Sequence, residues 1–282
     1  MESAKSNYHD NYQNIPEVFW DWHNQRVKIM ADKEHSIKTL KIVKKLAGKA
    51  GISKIIAYVV PSFQKMYVNE GFHTEGTIKG FFAGVDAICF SYFLSPGRSI
   101  SDNLYNGVLP VDANWDRVKN IYQQIRLPYI TRRARPTDIP DMINLFKSVF
   151  TTYPSPVFDK DYLGANMKYD RVIYQVAIDT NHKIIGIASA EKDSNNLNAE
   201  ITDCVTNPQF RGQGVLNQLI IELEEDLNSE GYICLYTLCR ATHAPVNKAF
   251  FRLGYMFSGR LIKNCNICGS YEDMNILVKV LR

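Results

Sequence analysis

One segment constrains this chain more than any other: Ala199-Glu-Ile-Thr-Asp-Cys-Val-Thr-Asn-Pro-Gln209-Phe-Arg-Gly212-Gln-Gly214-Val. Its first part reads as a strand, and an amphipathic run from Val215 to Leu227 follows, so strand passes to helix through Gln-x-x-Gly-x-Gly. Glycine tolerates positive φ, so Gly212 and Gly214 let the backbone turn sharply with its N–H groups aimed at one centre. The helix that starts near Gly214 adds its positive end. Such a turn suits a pyrophosphate. A Rossmann fingerprint would need a different glycine spacing and a later acidic residue, so this is another kind of α/β turn.

Length and composition set the frame for that turn. With 282 residues, 45% hydrophobic and 22% charged, the chain has the composition of about two globular domains, which excludes disorder, collagen and coiled coil. The net charge is only +4 and the basic residues are scattered, so no nucleic-acid footprint is present. The most apolar stretch, Gly80 to Leu94, is interrupted by Asp86 and is too short to cross a bilayer as a helix. Met1 to Asp10 is polar without an apolar signal core, and a soluble cytoplasmic protein with reduced thiols is expected. Cys234, Cys239, Cys265 and Cys268 form an imaginable zinc set, but the first two fall in a strand-like run without a knuckle-like turn. Small buried hydrophobes and loop thiols are the plainer reading, and no metal is expected.

Along the chain, Ile37, Leu40, Val43, Leu46 and Ala50 recur at helical spacing before Gly51 and the apolar run Ile55 to Val60, giving helix then buried strand. An amphipathic helix from Asp112 carries Trp115, Val118, Tyr122 and Ile125 on one face. From Ile130 the pattern predicts a strand, a helix over Asp138 to Phe150, and strands at Val172 to Ile178, Lys183 to Ala190 and Ala199 to Thr206. The helix Val215 to Leu227, a strand Gly231 to Leu238, a helix near Asn247 to Leu253 and a strand Met274 to Val280 complete it. A weak repeat links the halves: Gly71-Phe72-x-x-x-Gly76-x-Ile78 echoes Gly254-Tyr255-x-x-x-Gly259-x-Leu261. The expected division is residues 1–96 as one unit, 97–128 as a linker and 129–282 as the unit that holds the turn.

The strand Glu200-Ile-x-x-Cys204-Val205, the loop Gln209-Phe-Arg-Gly-Gln-Gly214, the helix, and then Asn247 with Phe-Phe-Arg-Leu-Gly254-Tyr255 resemble the GNAT acetyltransferase superfamily. More narrowly, Tyr236-Thr-Leu-Cys-Arg-Ala, Glu272-Asp-Met-Asn-Ile and the N-terminal Gly71-Phe72-x-x-Glu75-Gly76 look like β-lysine N-acetyltransferases. The resemblance implies an α/β (α+β) fold, a C-terminal mixed, mostly antiparallel sheet flanked by helices. The glycine repeat predicts an N-terminal half-GNAT-like unit; its Ala31-Asp-Lys-Glu-His-Ser36 segment has no glycine to turn the backbone and two acids to repel phosphates, so that unit is expected to lack a cofactor site and to shape the acceptor pocket. The resemblance also implies acetyl-CoA as co-substrate, held by Cys204, Val205, Thr206, Gln209, Phe210, Arg211, Gly212, Gln213, Gly214, Val215, Asn247 and Phe250. The implied product is the compatible solute Nε-acetyl-β-lysine. Phe250 stands where many members carry a tyrosine, which leaves the general acid unassigned. Another amine, such as a polyamine or a protein lysine, or a non-catalytic acetyl-CoA sensor, remains an alternative, and a homodimer is left open.

An alkyl ammonium of pKa ~10.4 is neutral in about one molecule in 2,500 at pH 7, a handicap of roughly 4.6 kcal/mol, so a base must take its proton. Glu200 sits at the strand position that resembles the general base of histone acetyltransferases; a solvated strand-edge residue is the alternative. Asp203, the second candidate, points to the opposite face by strand alternation unless a bulge re-aims it. The Val205 N–H is the family-like oxyanion donor. For a small-molecule diamine acceptor with a carboxylate, Glu272 and Asp273 are the expected cation partners and Arg240 the expected anion partner.

Overall fold

The computed structural model describes residues 15, 17–32, 37–101 and 128–281; the amphipathic helix expected after Asp112 lies outside them. The described N-terminal half comprises β1 (Val18–Asp21), β2 (Arg26–Ala31), α1 (Ile37–Lys49), β3 (Lys54–Val59), α2 (Gln64–Asn69), β4 (His73–Phe82) and β5 (Val85–Phe93). The C-terminal half begins with β6 (Tyr129–Arg133), α3 (Ile139–Val149), α4 (Lys160–Lys168), β7 (Val172–Asp179) and β8 (Ile184–Asp193). It continues through β9 (Asn198–Thr206), α5 (Val215–Ser229), β10 (Cys234–Arg240), α6 (Ala244–Arg252), β11 (Met256–Ile267) and β12 (Ser270–Val280).

All twelve strands of the described residues join one sheet in the order β1-β2-β3-β5-β4-β11-β12-β10-β9-β8-β7-β6. The sequence of pairings reads the same from either side of the β4–β11 seam. β2 runs parallel to β3 as β9 does to β10, and the flanking pairs are antiparallel. Helix, strand, helix, strand, strand therefore recurs as α1-β3-α2-β4-β5 and α5-β10-α6-β11-β12.

Amphipathic periodicity decides which face each helix covers. Leu40, Val43 and Ala47 of α1 are buried against Val27, Ile29 and Ala57 on the outer face of the first half. Leu219, Ile220, Leu223 and Leu227 of α5 do the same against Ile173, Ala188, Ala199 and Ile201. α3 and α4 lie on the opposite face of the second half, over Val176, Ile187 and Val205. On the face away from α1 and α5, the strands beside the seam close on one another, where Tyr58 and Phe81 of the first half meet Tyr236, Cys265 and Met274 of the second. Phe81 stacks on Tyr58 with ring centroids 5.2 Å apart and lies 5.4 Å from Tyr236.

Buried polar contacts pin that closure. Arg26 Nη1 donates to the Asn264 carbonyl at 3.1 Å. Lys54 Nζ, fully buried, reaches Glu75 at 2.8 Å and the Ile262 carbonyl at 2.7 Å. At the other end, Asn198 Nδ2 donates to the Phe81 carbonyl at 2.7 Å. On α1, Lys44 pairs with Glu70 at 3.0 Å.

Some elements differ from expectation. β10 starts three residues later than read, because Gly231 at φ +83° terminates α5 first. β11 was not anticipated: Arg260, Lys263, Asn264 and Asn266 disguise a strand, and two register shifts against β12 break its alternation. α4, with Gly164 near its middle, was likewise not read from the sequence.

Candidate active site

Gly212 and Gly214 both sit at φ +79°, and Gly214 caps α5, so the turn takes the backbone shape its glycines require. A Cβ on Gly212 would find nothing within 4 Å, which leaves its amide face open. Just before the turn, β9 and β10 pair in parallel only over Asn198–Glu200 and Cys234–Tyr236. Beyond those three pairs the strands diverge, and a cavity of about 660 Å³ fills the fork.

Among the expected cofactor residues, Cys204, Val205, Thr206, Phe210, Arg211, Gly212, Gly214, Val215 and Phe250 line this cavity. Gln209, Gln213 and Asn247 do not. Gln213 folds back to donate to the Gln209 carbonyl at 3.3 Å. Asn247 is a buried brace: its Nδ2 donates to the carbonyls of Arg240 and His243 at 2.9 Å, and its Oδ1 accepts from Asn275. Arg211, Arg240 and His243 all border the fork. Burial and then the charges of Arg240 and Arg211 hold the His243 imidazole below its ordinary pKa. An open left-handed turn at a helix N-terminus, bordered by two arginines, fits the phosphates of acetyl-CoA, and the forked strands leave room for its arm.

The carboxylates are arranged differently from the alternation argument. Asp203 has φ +47°, and the β8–β9 register slips between Ile187/Val205 and Ser189/Thr202, so β9 carries a bulge there. The bulge turns Asp203 onto the face of Ser189, whose hydroxyl donates to Asp203 Oδ2 at 3.2 Å. That is the α3 side of the sheet, because Ile187, two residues before Ser189, packs against α3. Glu200 points to this face as well, since Ala199 and Ile201 face α5. Both acids thus share one side, but Asp203 lines the cavity and Glu200 does not.

Asp203 is 2% exposed and its Oδ1 is buried with no hydrogen bond. Burial, then the charge of Glu191, pushes its carboxyl up to about 7, against the pull of the Ser189 and Ser155 hydroxyls. Glu200 is raised by the same two causes and is drawn down by Lys28, Arg26 and the Tyr236 hydroxyl. Tyr153 also lines the cavity, held by Phe150 at 4.7 Å between ring centroids, and its hydroxyl feels Asp203 first among nearby charges. No local motif marks Tyr153 in the sequence, because it belongs to an irregular segment between α3 and α4.

The expected acceptor residues are engaged within the protein, two of them with each other. Arg240 Nη2 meets Glu272 at 3.0 Å, and Glu272 also accepts from Thr242 at 3.3 Å. Asp273 is buried and accepts from Ser101 and from the Lys263 N–H. Only Arg240 of the three lines the cavity, and its Nε is buried without a partner. The cysteines do not converge: Cys234 belongs to the core shared by the two halves, Cys239 to the α5 side, and Cys268 is exposed.

The fold and the forked site define an N-acetyltransferase of the GNAT type, and the family model described as acetyltransferase (GNAT) family matches residues 139–255. The chain is 35% identical over 263 residues to the β-lysine N(6)-acetyltransferase of Methanosarcina mazei, covering 85% of this chain and 95% of that protein. It is 30% identical over 261 residues to N-acetyltransferase YodP of Bacillus subtilis, covering 93% of this chain and 94% of that one. A solved ribosomal-protein-S5-alanine acetyltransferase from Vibrio fischeri matches at 18% identity and TM-score 0.48, over 54% of this chain and 93% of that one. The chain belongs to the β-lysine N-acetyltransferase family within the GNAT superfamily.

Proposed function

We propose that this enzyme transfers the acetyl group of acetyl-CoA to the side-chain amine of β-lysine, with Asp203 as general base. The observation that carries the assignment of the base is the bulge at Asp203, which sets a buried, unbonded carboxylate oxygen on the wall of the cavity that the Gly212–Gly214 turn opens into. The name of the Methanosarcina mazei relative supports the acceptor.

Acetyl-CoA supplies the electrophilic thioester. The chain's own residues do the rest. Asp203 accepts the proton that the alkylammonium must lose before its nitrogen forms the amide bond, and a carboxyl poised near 7 suits that task at neutral pH. The backbone at Val205 lies on the same wall and supplies the oxyanion donor. In this reading residues 1–96 are a half-GNAT-like unit that walls the acceptor side and selects a small amine over a protein lysine. Acetylation removes one positive charge from a substrate of net +1 and leaves a neutral zwitterion, which suits a compatible solute accumulated in the cytoplasm.

Thiol release from acetyl-CoA, measured across β-lysine, lysine, spermidine and a lysine peptide, tests the reading. β-Lysine should give the highest kcat/KM. A higher value with spermidine or the peptide would overturn the acceptor assignment, and no release with any amine would favour the sensor alternative.

A further inference from the structure

Charge is unevenly shared on the wall of the forked cavity. Among the described residues Asp203 is the single acid that lines it, and Asp203 belongs to the α3 side. Arg211, Arg240, Lys248 and Arg252 line it as cations. Arg240 is met by Glu272 at 3.0 Å, whereas the side chains of Arg211, Lys248 and Arg252 take part in no ion pair or hydrogen bond among the described residues. Neither α5 nor α6 carries an acid in its first turn to offset them.

Helical spacing brings two of these cations together. Pro245, Lys248, Ala249 and Arg252 fall at i, i+3, i+4 and i+7 on α6, and all four line the cavity, so one stripe of the helix faces it. Lys248 and Arg252 are exposed and stand one turn apart, which sets them at the mouth. A direct contact ties this stripe to the glycine turn: Asn217 Nδ2, in the first turn of α5, donates to the Ala249 carbonyl at 3.4 Å. Asn217 is three residues past the Gly214 cap, a helical rise of ~4.5 Å. The Lys248–Arg252 pair therefore lies close beside the amides of Gly212 to Gly214.

We propose that Lys248 and Arg252 form a site for the 3′-phosphate of the CoA nucleotide, so that the enzyme selects CoA over 3′-dephospho-CoA. The inference rests on the reading of the turn as the seat of the pyrophosphate, which its amides and the α5 terminus satisfy. Arg211, beside those amides, serves the same group. The α6 pair is then left for a second anion one ribose away, and CoA carries one there: a phosphate monoester, close to doubly charged at pH 7. A guanidinium fork and an ammonium point charge, one turn apart, suit its three terminal oxygens. Both side chains are exposed, so salt screens the attraction.

Calorimetric titration of CoA and of 3′-dephospho-CoA into the full chain tests this. Wild type should bind CoA about tenfold or more tightly than the dephospho form, with a preference that shrinks as salt is raised. Lys248→Gln combined with Arg252→Gln should weaken CoA about tenfold and leave 3′-dephospho-CoA within threefold. Lys248→Arg, which keeps the charge, should retain the preference. Gly212→Val, by contrast, should weaken both nucleotides alike. Both exchanged α6 side chains are exposed, so their loss leaves the fold intact. Equal affinity of wild type for the two nucleotides, or equal losses for both in the double variant, would overturn the proposal. Binding of both without preference would leave the acetyl-CoA reading standing; binding of neither would remove that reading and this site with it.

Discussion

Gly76 on β4 and Gly259 on β11 stand opposite each other across the seam between the two halves, and each leaves no room for a side chain on the other. A Cβ on Gly259 would lie 2.3 Å from the Glu75 carbonyl oxygen and 2.4 Å from Gly76 Cα; one on Gly76 would lie 2.6 Å from the Ser258 carbonyl oxygen. These are the second glycines of the two repeated motifs, so the repeat places its own seam. Gly259 also has φ +148°, which an L side chain rarely adopts.

Gly259→Ala should therefore destabilise the protein by about 3 kcal/mol or more, since the clash is with backbone and the φ is strained as well. Urea unfolding of the variant would measure this. A loss under 1 kcal/mol would mean the seam can open without cost.

Gly212→Val should behave differently. Nothing crowds a Cβ there, so the cost to the fold is confined to the φ of +79°. The branched side chain instead covers the amides that face the phosphates, and CoA affinity should fall at least tenfold, about 1.4 kcal/mol, by calorimetry. Unchanged affinity in a folded variant would remove the turn from the binding site.

Much of this was legible in sequence. The α1 stripe, the Gly212–Gly214 turn and the glycine repeat are local signals, written in adjacent residues. The bulge was not: alternation put Asp203 opposite Glu200, and only the slipped β8–β9 register with φ +47° brings them to one face. Likewise, nothing local tells that Glu272 is spent on Arg240, thirty-two residues away. Features set by distant pairing are those the periodicities cannot carry.

A buried carboxyl with a raised pKa also marks itself in stability. Folded Asp203 holds its proton up to about pH 7, whereas the unfolded chain sheds it near its ordinary value of 3.8. The native state binds the extra proton between those limits, so this group favours folding below pH 4 and that contribution is lost as pH rises through 7. Asp203→Asn should therefore have a melting temperature several degrees above wild type at pH 8 and no such gain at pH 4. A gain at acid pH alone would reverse the assigned sign.

The account's central claim is that Asp203 takes the proton of the acceptor amine, and the pH–rate profile of Asp203→Asn beside wild type tests it most directly. Wild-type kcat/KM for β-lysine should climb through pH 7 as the carboxyl ionises. The variant should still bind acetyl-CoA but lose roughly 10²-fold or more in kcat at pH 7, with a deficit that narrows toward pH 10, where the amine arrives neutral. Wild-type kcat in Asp203→Asn at pH 7, with the loss appearing in Glu200→Gln instead, would contradict the account.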